Sequence, residues 1–204
     1  MLQPIFVSRM YTAFVLGNGK SRSGLNLATL TPHGKVFGCN ALYRDFAPDV
    51  LIATDPGISQ EIENSGYPEY HEFYTRKPQH KDSKLITKNF GYSSGPIAVT
   101  YAAMEGFRRI YLIGFDLVGH CGKHNNIYSG TANYKSLNSE PTYYGNWVTQ
   151  IQSIARESDS TEFIRVGTVS QHRPTEWQRH NIKFQTIDEF LSEINTVSWQ
   201  KQNE

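Results

Sequence analysis

The chain has 204 residues, 38% of them hydrophobic, with a formal net charge of +1. That length buries a real core and suits one domain, read as 1–204, with at most a small lid. Near-neutral charge gives no global basic field, so nucleic-acid binding is not implied, and no apolar run reaches membrane-spanning length.

The two cysteines, Cys39 and Cys121, form neither a disulfide framework nor a paired-cysteine metal motif. They point to a reducing, cytoplasmic setting. The opening MLQPIFVSRM lacks the long apolar core of a signal peptide, and Met10 stands just before the first strand as an alternative start.

In chain order, short apolar runs alternate with helix-like stretches. The first predicted strand, 13–16, runs straight into Gly17-Asn18-Gly19. Strands over 35–40 and 50–54 follow. A helix over 58–65 comes after Asp55-Pro56 and stops at Gly66. A weaker strand spans 71–75, and 79–89 reads as a polar break. The clearest helix, 96–104, has Ser94 and Gly95 before it and Gly106 after it. The fifth and strongest strand is 109–116. Residues 119–142 have no period and are rich in Gly, Asn, Ser and Tyr, which predicts a long functional loop, read as a lid. An amphipathic helix over 147–156, strands over 161–166 and 183–187, a helix over 187–194 and a frayed tail at 200–204 complete the chain. Strands alternating with helices predict an α/β fold, a three-layer sandwich around a mostly parallel sheet.

In such sheets, ligands bind outside the carboxyl ends of the strands. Several candidate residues fall at those ends. Gly17 and Gly19 carry no side chain, so backbone N–H groups there can approach a phosphate. Asn40, Asp55 and Asp116 end the second, third and fifth strands, where an Asn or Asp either binds a base or ribose or caps the next helix. Ser93, Ser94 and Gly95 open a helix, which makes an anion site or an ordinary cap. The loop holds His120 and His124, either solvated or placed to meet a phosphate or act as acid or base. His-Cys-x-x-His lacks a matching second half, so zinc is not favoured. Tyr143-Tyr144-Gly145-Asn146-Trp147 offers aromatics for a ligand or the core. Arg165, His172, Arg173, Arg179 and His180 either hold an acidic acceptor or form solvated surface. No Walker A loop, GxGxxG, Gly-x-Ser-x-Gly, HExxH or Asp-x-Asp motif is present.

Four segments, in order, carry a family likeness: Leu16-Gly17-Asn18-Gly19, Phe37-Gly38-Cys39-Asn40, the run from Ser93 to Asp116, and Tyr143-Tyr144-Gly145-Asn146. Over most of 12–166 the chain resembles the bacterial sialyltransferases of glycosyltransferase family 42. It is also similar to the Rossmann-like domain of motility accessory factors, related to the hydroxymethylpterin pyrophosphokinase fold. The resemblance implies a Rossmann-like fold and metal-independent glycosyl transfer, with no added cofactor. The donor would be a nucleotide-sugar, most simply a CMP-sugar, and the acceptor a glycan or other hydroxyl. By that likeness Gly17, Asn18, Gly19, Asn40, Ser93, Ser94 and Gly95 would contact the nucleotide. Gly114 and Asp116 would sit at the ribose, and Tyr128 or His124 would brace the phosphate. Related folds also self-associate, which implies a homo-oligomer.

At the family's catalytic His stands Asn146, which cannot act as a general base near neutral pH. His120 or His124 would then supply the base, with Asp116 beside them. Asp55 and the Asp116-to-His124 stretch lie closer to the motility-factor branch. Two alternatives stay open: a metal-dependent pyrophosphokinase-like or nucleotide-hydrolysing enzyme using Asp55 and Asp116, and a nucleotide-binding module without chemistry. A DNA-modifying transferase has no support from net charge.

Overall fold

The structure is a computed structural model; it describes residues 11–168 and 171–201, without the side chains of 179 and 196–201. Met10 and residues 202–204 of the expected tail lie outside the described residues.

The strands are β1 (Thr12–Leu16), β2 (Lys35–Cys39), β3 (Val50–Ala53), β4 (Glu72–Thr75), β5 (Lys84–Leu85), β6 (Arg109–Ile113), β7 (Glu162–Gly167) and β8 (Ile182–Thr186). The helices are α1 (Pro56–Asn64), α2 (Ser94–Met104), α3 (Gly145–Arg156) and α4 (Ile187–Lys201). All eight strands pair in parallel, in the order β5-β4-β3-β2-β1-β6-β7-β8. Val15 is in register with Phe37 on one side and Leu112 on the other.

Side-chain alternation along the strands explains the layers. On one face, Phe14, Leu16, Tyr111 and Ile113 pack with Ile58 and Ile62 of α1 and Phe190 and Ile194 of α4. On the other, Ala13, Val15 and Leu112 pack with Ile97 and Ala98 of α2 and Ile151 and Ile154 of α3. Both faces of β1 are therefore covered, and all five of its residues are buried. That is why the central strands read as unbroken apolar runs. Helix α2 also touches the sheet and α3, which fits its nearly all-apolar sequence. Together these make a Rossmann-like α/β arrangement.

From β1 the chain builds outward through β2 to β5, then crosses back to place β6 on the other side of β1. The β1/β6 boundary is thus the topological switch point, where a crevice opens at the carboxyl edge.

Two expectations change. The break at 79–89 contains the two-residue edge strand β5. Residues 119–142 form a tethered wall instead of a lid. The Ile127 amide donates to Asn18 O at 2.8 Å, and the Ala41 amide donates to the Tyr134 hydroxyl at 3.1 Å. Arg44 donates to Thr131 Oγ1 at 2.8 Å, and Asn133 Nδ2 to Glu61 Oε2 at 2.7 Å. Tyr128 joins the core beneath the segment. Ile127, Tyr128 and Tyr134 act as spaced apolar anchors with no regular period, which is why these tethers are not visible in the sequence pattern.

Among the described residues no helix is long and apolar enough to cross a membrane.

Candidate functional site

A cavity of about 360 Å³ lies at the switch point, bounded by the segments that leave β1, β2, β3 and β6 and by the starts of α2 and α3. Its size falls in the range of small-molecule sites.

The turn after β1 is shaped by the end of β6. The Gly17 amide donates to Ile113 O at 2.8 Å and the Gly19 amide to Gly114 O at 2.9 Å. A Cβ on Gly17 would meet Gly114 O at 2.6 Å, and one on Gly19 would run into the Asp116 carboxylate carbon and meet Gly114 O at 2.6 Å. Gly114 itself has φ +75, and its Cβ would meet Gly17 O at 2.6 Å. These glycines let two strand ends touch, and the two amides point into that contact. The expectation that they face a phosphate is corrected on this ground. All three glycines still line the cavity.

Arg22 locks the turn from behind. Its Nε donates to Gly17 O at 2.7 Å, and its Nη2 reaches Asn18 Oδ1 at 3.3 Å and the Tyr128 hydroxyl at 3.2 Å. Asn18 Nδ2 donates in turn to Cys39 O at 3.2 Å, tying the ends of β1 and β2. Asp116 performs the same task in front. Its carboxylate accepts from the Ser21 amide at 3.0 Å, from the Ser21 hydroxyl, and from Asn125 Nδ2 at 2.9 Å. Asn125 Oδ1 accepts from the Lys20 amide at 2.9 Å. Asp116 is therefore a buried brace between two loops, not a free acid or base.

Polar groups in the cavity wall left without such work include Asn40 and Asp55. Asn40 adopts φ +54, and its Oδ1 is buried with no partner. A left-handed Asn costs less than other non-glycine residues there, and an unpaired buried carbonyl oxygen is an acceptor in want of a donor. Asp55 is the N-cap of α1 but makes no capping bond, and it is exposed. Its carboxylate has no hydrogen-bond or ion-pair partner among the described residues. Next to Asn40, burial pushes the Cys39 thiol up to about 12, so it is neutral and unreactive.

Helix starts supply the opposite charge. The Ser94 hydroxyl accepts from the Thr54 amide at 3.0 Å, and the Ser93 hydroxyl accepts from Trp147 Nε1 at 3.0 Å. Both serine side chains are thus engaged in holding α2 against β3 and α3. The helical amides of Ser94 and Gly95 keep no partner among the described residues, and Pro96 has none to offer. The amides of Gly145 and Asn146 at the start of α3 are likewise free. Each helix start carries about half a positive charge. Two such ends facing one cavity make a site for an anion. Phe115, Trp147 and the exposed ring of Tyr143 add aromatic surface.

The structure gathers Gly17, Asn18, Gly19, Asn40, Asp55, Ser93, Ser94, Gly95, Gly114, Asp116 and Asn146 at this one cavity. It does not bring His120, His124 or Tyr128 there. His120 is exposed in a small turn closed on Lys123. His124 is buried within its own loop, with Nδ1 3.4 Å from Thr142 Oγ1. Burial first, then Lys135 and Lys20, push its pKa down, so it is neutral. The Tyr128 hydroxyl donates to Asp45 Oδ2 at 2.6 Å, on the far side of Arg22. Among the described residues no three His, Cys, Asp or Glu side chains gather as a metal-binding group. Sequence reasoning missed Asn125 and Thr142 as wall residues and Arg22 as the clamp. Only the 105-residue reach from Lys20 to Asn125 would have revealed the first, and no local pattern encodes it.

The chain matches no protein-family model, no curated protein and no solved structure.

Proposed function

We propose that this protein is a nucleotide-sugar-dependent glycosyltransferase whose donor phosphate sits at the starts of α2 and α3. The observation that carries the reading is the pairing of unbonded helix-start amides with two unbonded acceptors, Asn40 Oδ1 and the Asp55 carboxylate, in one cavity. The amides suit a phosphate. Asn40 Oδ1 suits a donor group on the base or ribose. The resemblance to family 42 makes a CMP-sugar the first donor to test.

Both histidines lie outside the cavity, so the base passes to Asp55. In this mechanism the acceptor hydroxyl attacks the donor's anomeric carbon, its proton goes to the Asp55 carboxylate, and the bond from that carbon to the phosphate oxygen breaks. The phosphate leaves with the electron pair, and the free amides stabilise it where charge develops. A metal-dependent phosphoryl transferase is less well supported, because the Asp116 carboxylate already serves Ser21 and Asn125.

The test is release of free nucleotide from CMP-, UDP- and GDP-sugars in the presence of mixed hydroxyl acceptors. The reading expects release with one donor, lowered about a hundredfold or more in Asp55→Asn with donor binding kept. Binding without release for any donor would make the chain a binding module and reject the transferase.

A further inference from the structure

Away from the main cavity, beside the carboxyl half of β7, lies a second hollow of about 220 Å³, lined by Arg165, Arg173, Trp177, Gln178, Lys183 and Phe184 among others. Arg165 is only 1% exposed, yet no carboxylate pairs with it among the described residues. Its guanidinium donates to two backbone carbonyls, Asp116 O at 2.8 Å and His172 O, and its Nε has no partner. The Asp116 carboxylate acts on this charge through space without a direct ion pair, and burial outweighs it, so the buried cation is costly. Arg173 adds a second cation. Its guanidinium lies 3.8 Å from the Phe184 ring centroid, which fixes the plane and leaves the N–H edge free of any hydrogen bond or ion pair among the described residues. Lys183 is a third cation, and Glu162 answers it.

We propose that this hollow is a second, separate site for a small oxyanion, a phosphate or carboxylate group, held by Arg173 and drawn in by Arg165. The planar donor edge of Arg173 matches either oxyanion in a two-point contact. Trp177 forms the apolar wall, with its indole Nε1 donating to Val148 O at 3.1 Å and its ring 5.9 Å from the Arg165 guanidinium carbon. Burial lowers the Arg165 pKa to about 10, with Asp116 opposing the shift and Arg173 adding to it.

The indole N–H signals of Trp147 and Trp177 separate the two sites, since Trp147 lines the main cavity and Trp177 the second. The full chain is labelled with ¹⁵N, the signals are assigned with Trp147→Phe and Trp177→Phe, and inorganic phosphate or succinate is added at constant ionic strength. The proposal expects the Trp177 signal to move saturably, with a dissociation constant about tenfold or more weaker in Arg173→Ala. Arg173 is exposed, so this variant keeps the fold. Tighter binding of phosphate than succinate identifies a phosphoryl ligand, and the reverse a carboxylate. A Trp177 signal that ignores both probes, or that moves equally in Arg173→Ala, overturns the proposal whatever the Trp147 signal does.

Discussion

Replacing Gly114 with Ala should destabilise the protein by two separable amounts. Its φ of +75 lies in the left-handed region, where an L side chain costs about 1–2 kcal/mol. The added Cβ would also meet Gly17 O at 2.6 Å and the Arg22 Cδ at 3.2 Å. A backbone oxygen on a hydrogen-bonded turn cannot move aside cheaply, so overpacking adds about 1–3 kcal/mol. The sum, about 2–5 kcal/mol, is a large part of a typical stability. Gly24 is the control. Its φ is +83 but no atom lies within 4 Å of its added Cβ, so Gly24→Ala carries the conformational cost alone. Urea unfolding followed by circular dichroism, extrapolated to water, measures both. In thermal melts the Gly114 variant should lie roughly 4–20 °C below wild type. If Gly114→Ala and Gly24→Ala lose the same stability, the close approach of β1 and β6 is wrong, and with it the shape of the crevice.

Further outcomes follow from the same geometry. Iodoacetamide at pH 8 should label exposed Cys121 and spare Cys39, whose burial holds the thiol protonated until about pH 12; mass spectrometry of the peptides decides it, and rapid labelling of Cys39 contradicts the buried floor. Burial opposes ionisation of Glu61, but hydrogen bonds from Tyr43, Arg44 and Asn133 outweigh it and lower its pKa. A lowered carboxylate pKa stabilises the fold above the unfolded value and loses that contribution as pH falls through the folded value. Glu61→Gln should therefore cost about 1 kcal/mol near neutral pH, with the difference from wild type shrinking as pH drops below the ordinary glutamate range; a constant difference across that window would refute it. His120→Ala and His124→Ala should leave nucleotide binding within about twofold of wild type, since neither side chain lines the cavity. A large loss in His120→Ala, an exposed position, would show that this side chain reaches the site in solution.

The central sheet was legible because β1, β2, β3 and β6 are buried on both faces, which writes itself as Phe14, Val15, Leu51, Ile52 and Leu112 in short runs. Strand β5 was not, since Lys84 and Leu85 are exposed and pair on one side only. Helix α4 runs past the expected 194 to Lys201, as a weakly amphipathic stretch without Gly or Pro gives no stop. The strand-end residues of the site could be read because the carboxyl-edge rule depends only on strand positions. What the amides of Gly17 and Gly19 do could not be read, because their partners, Ile113 and Gly114, are remote in sequence. The histidines misled for a related reason: their place depends on how Tyr128 and Tyr134 anchor the segment, and that is packing, not pattern.

The most direct test is a calorimetric titration of the protein with CMP, CDP, UDP, GDP and ATP, each with and without magnesium, repeated with Asn40→Ala. A nucleotide cavity at the switch point predicts saturable, magnesium-independent binding of one nucleotide, CMP first among them, weakened about tenfold or more when the unpaired Asn40 acceptor is removed. No binding of any nucleotide, or binding that Asn40→Ala leaves unchanged, would contradict it.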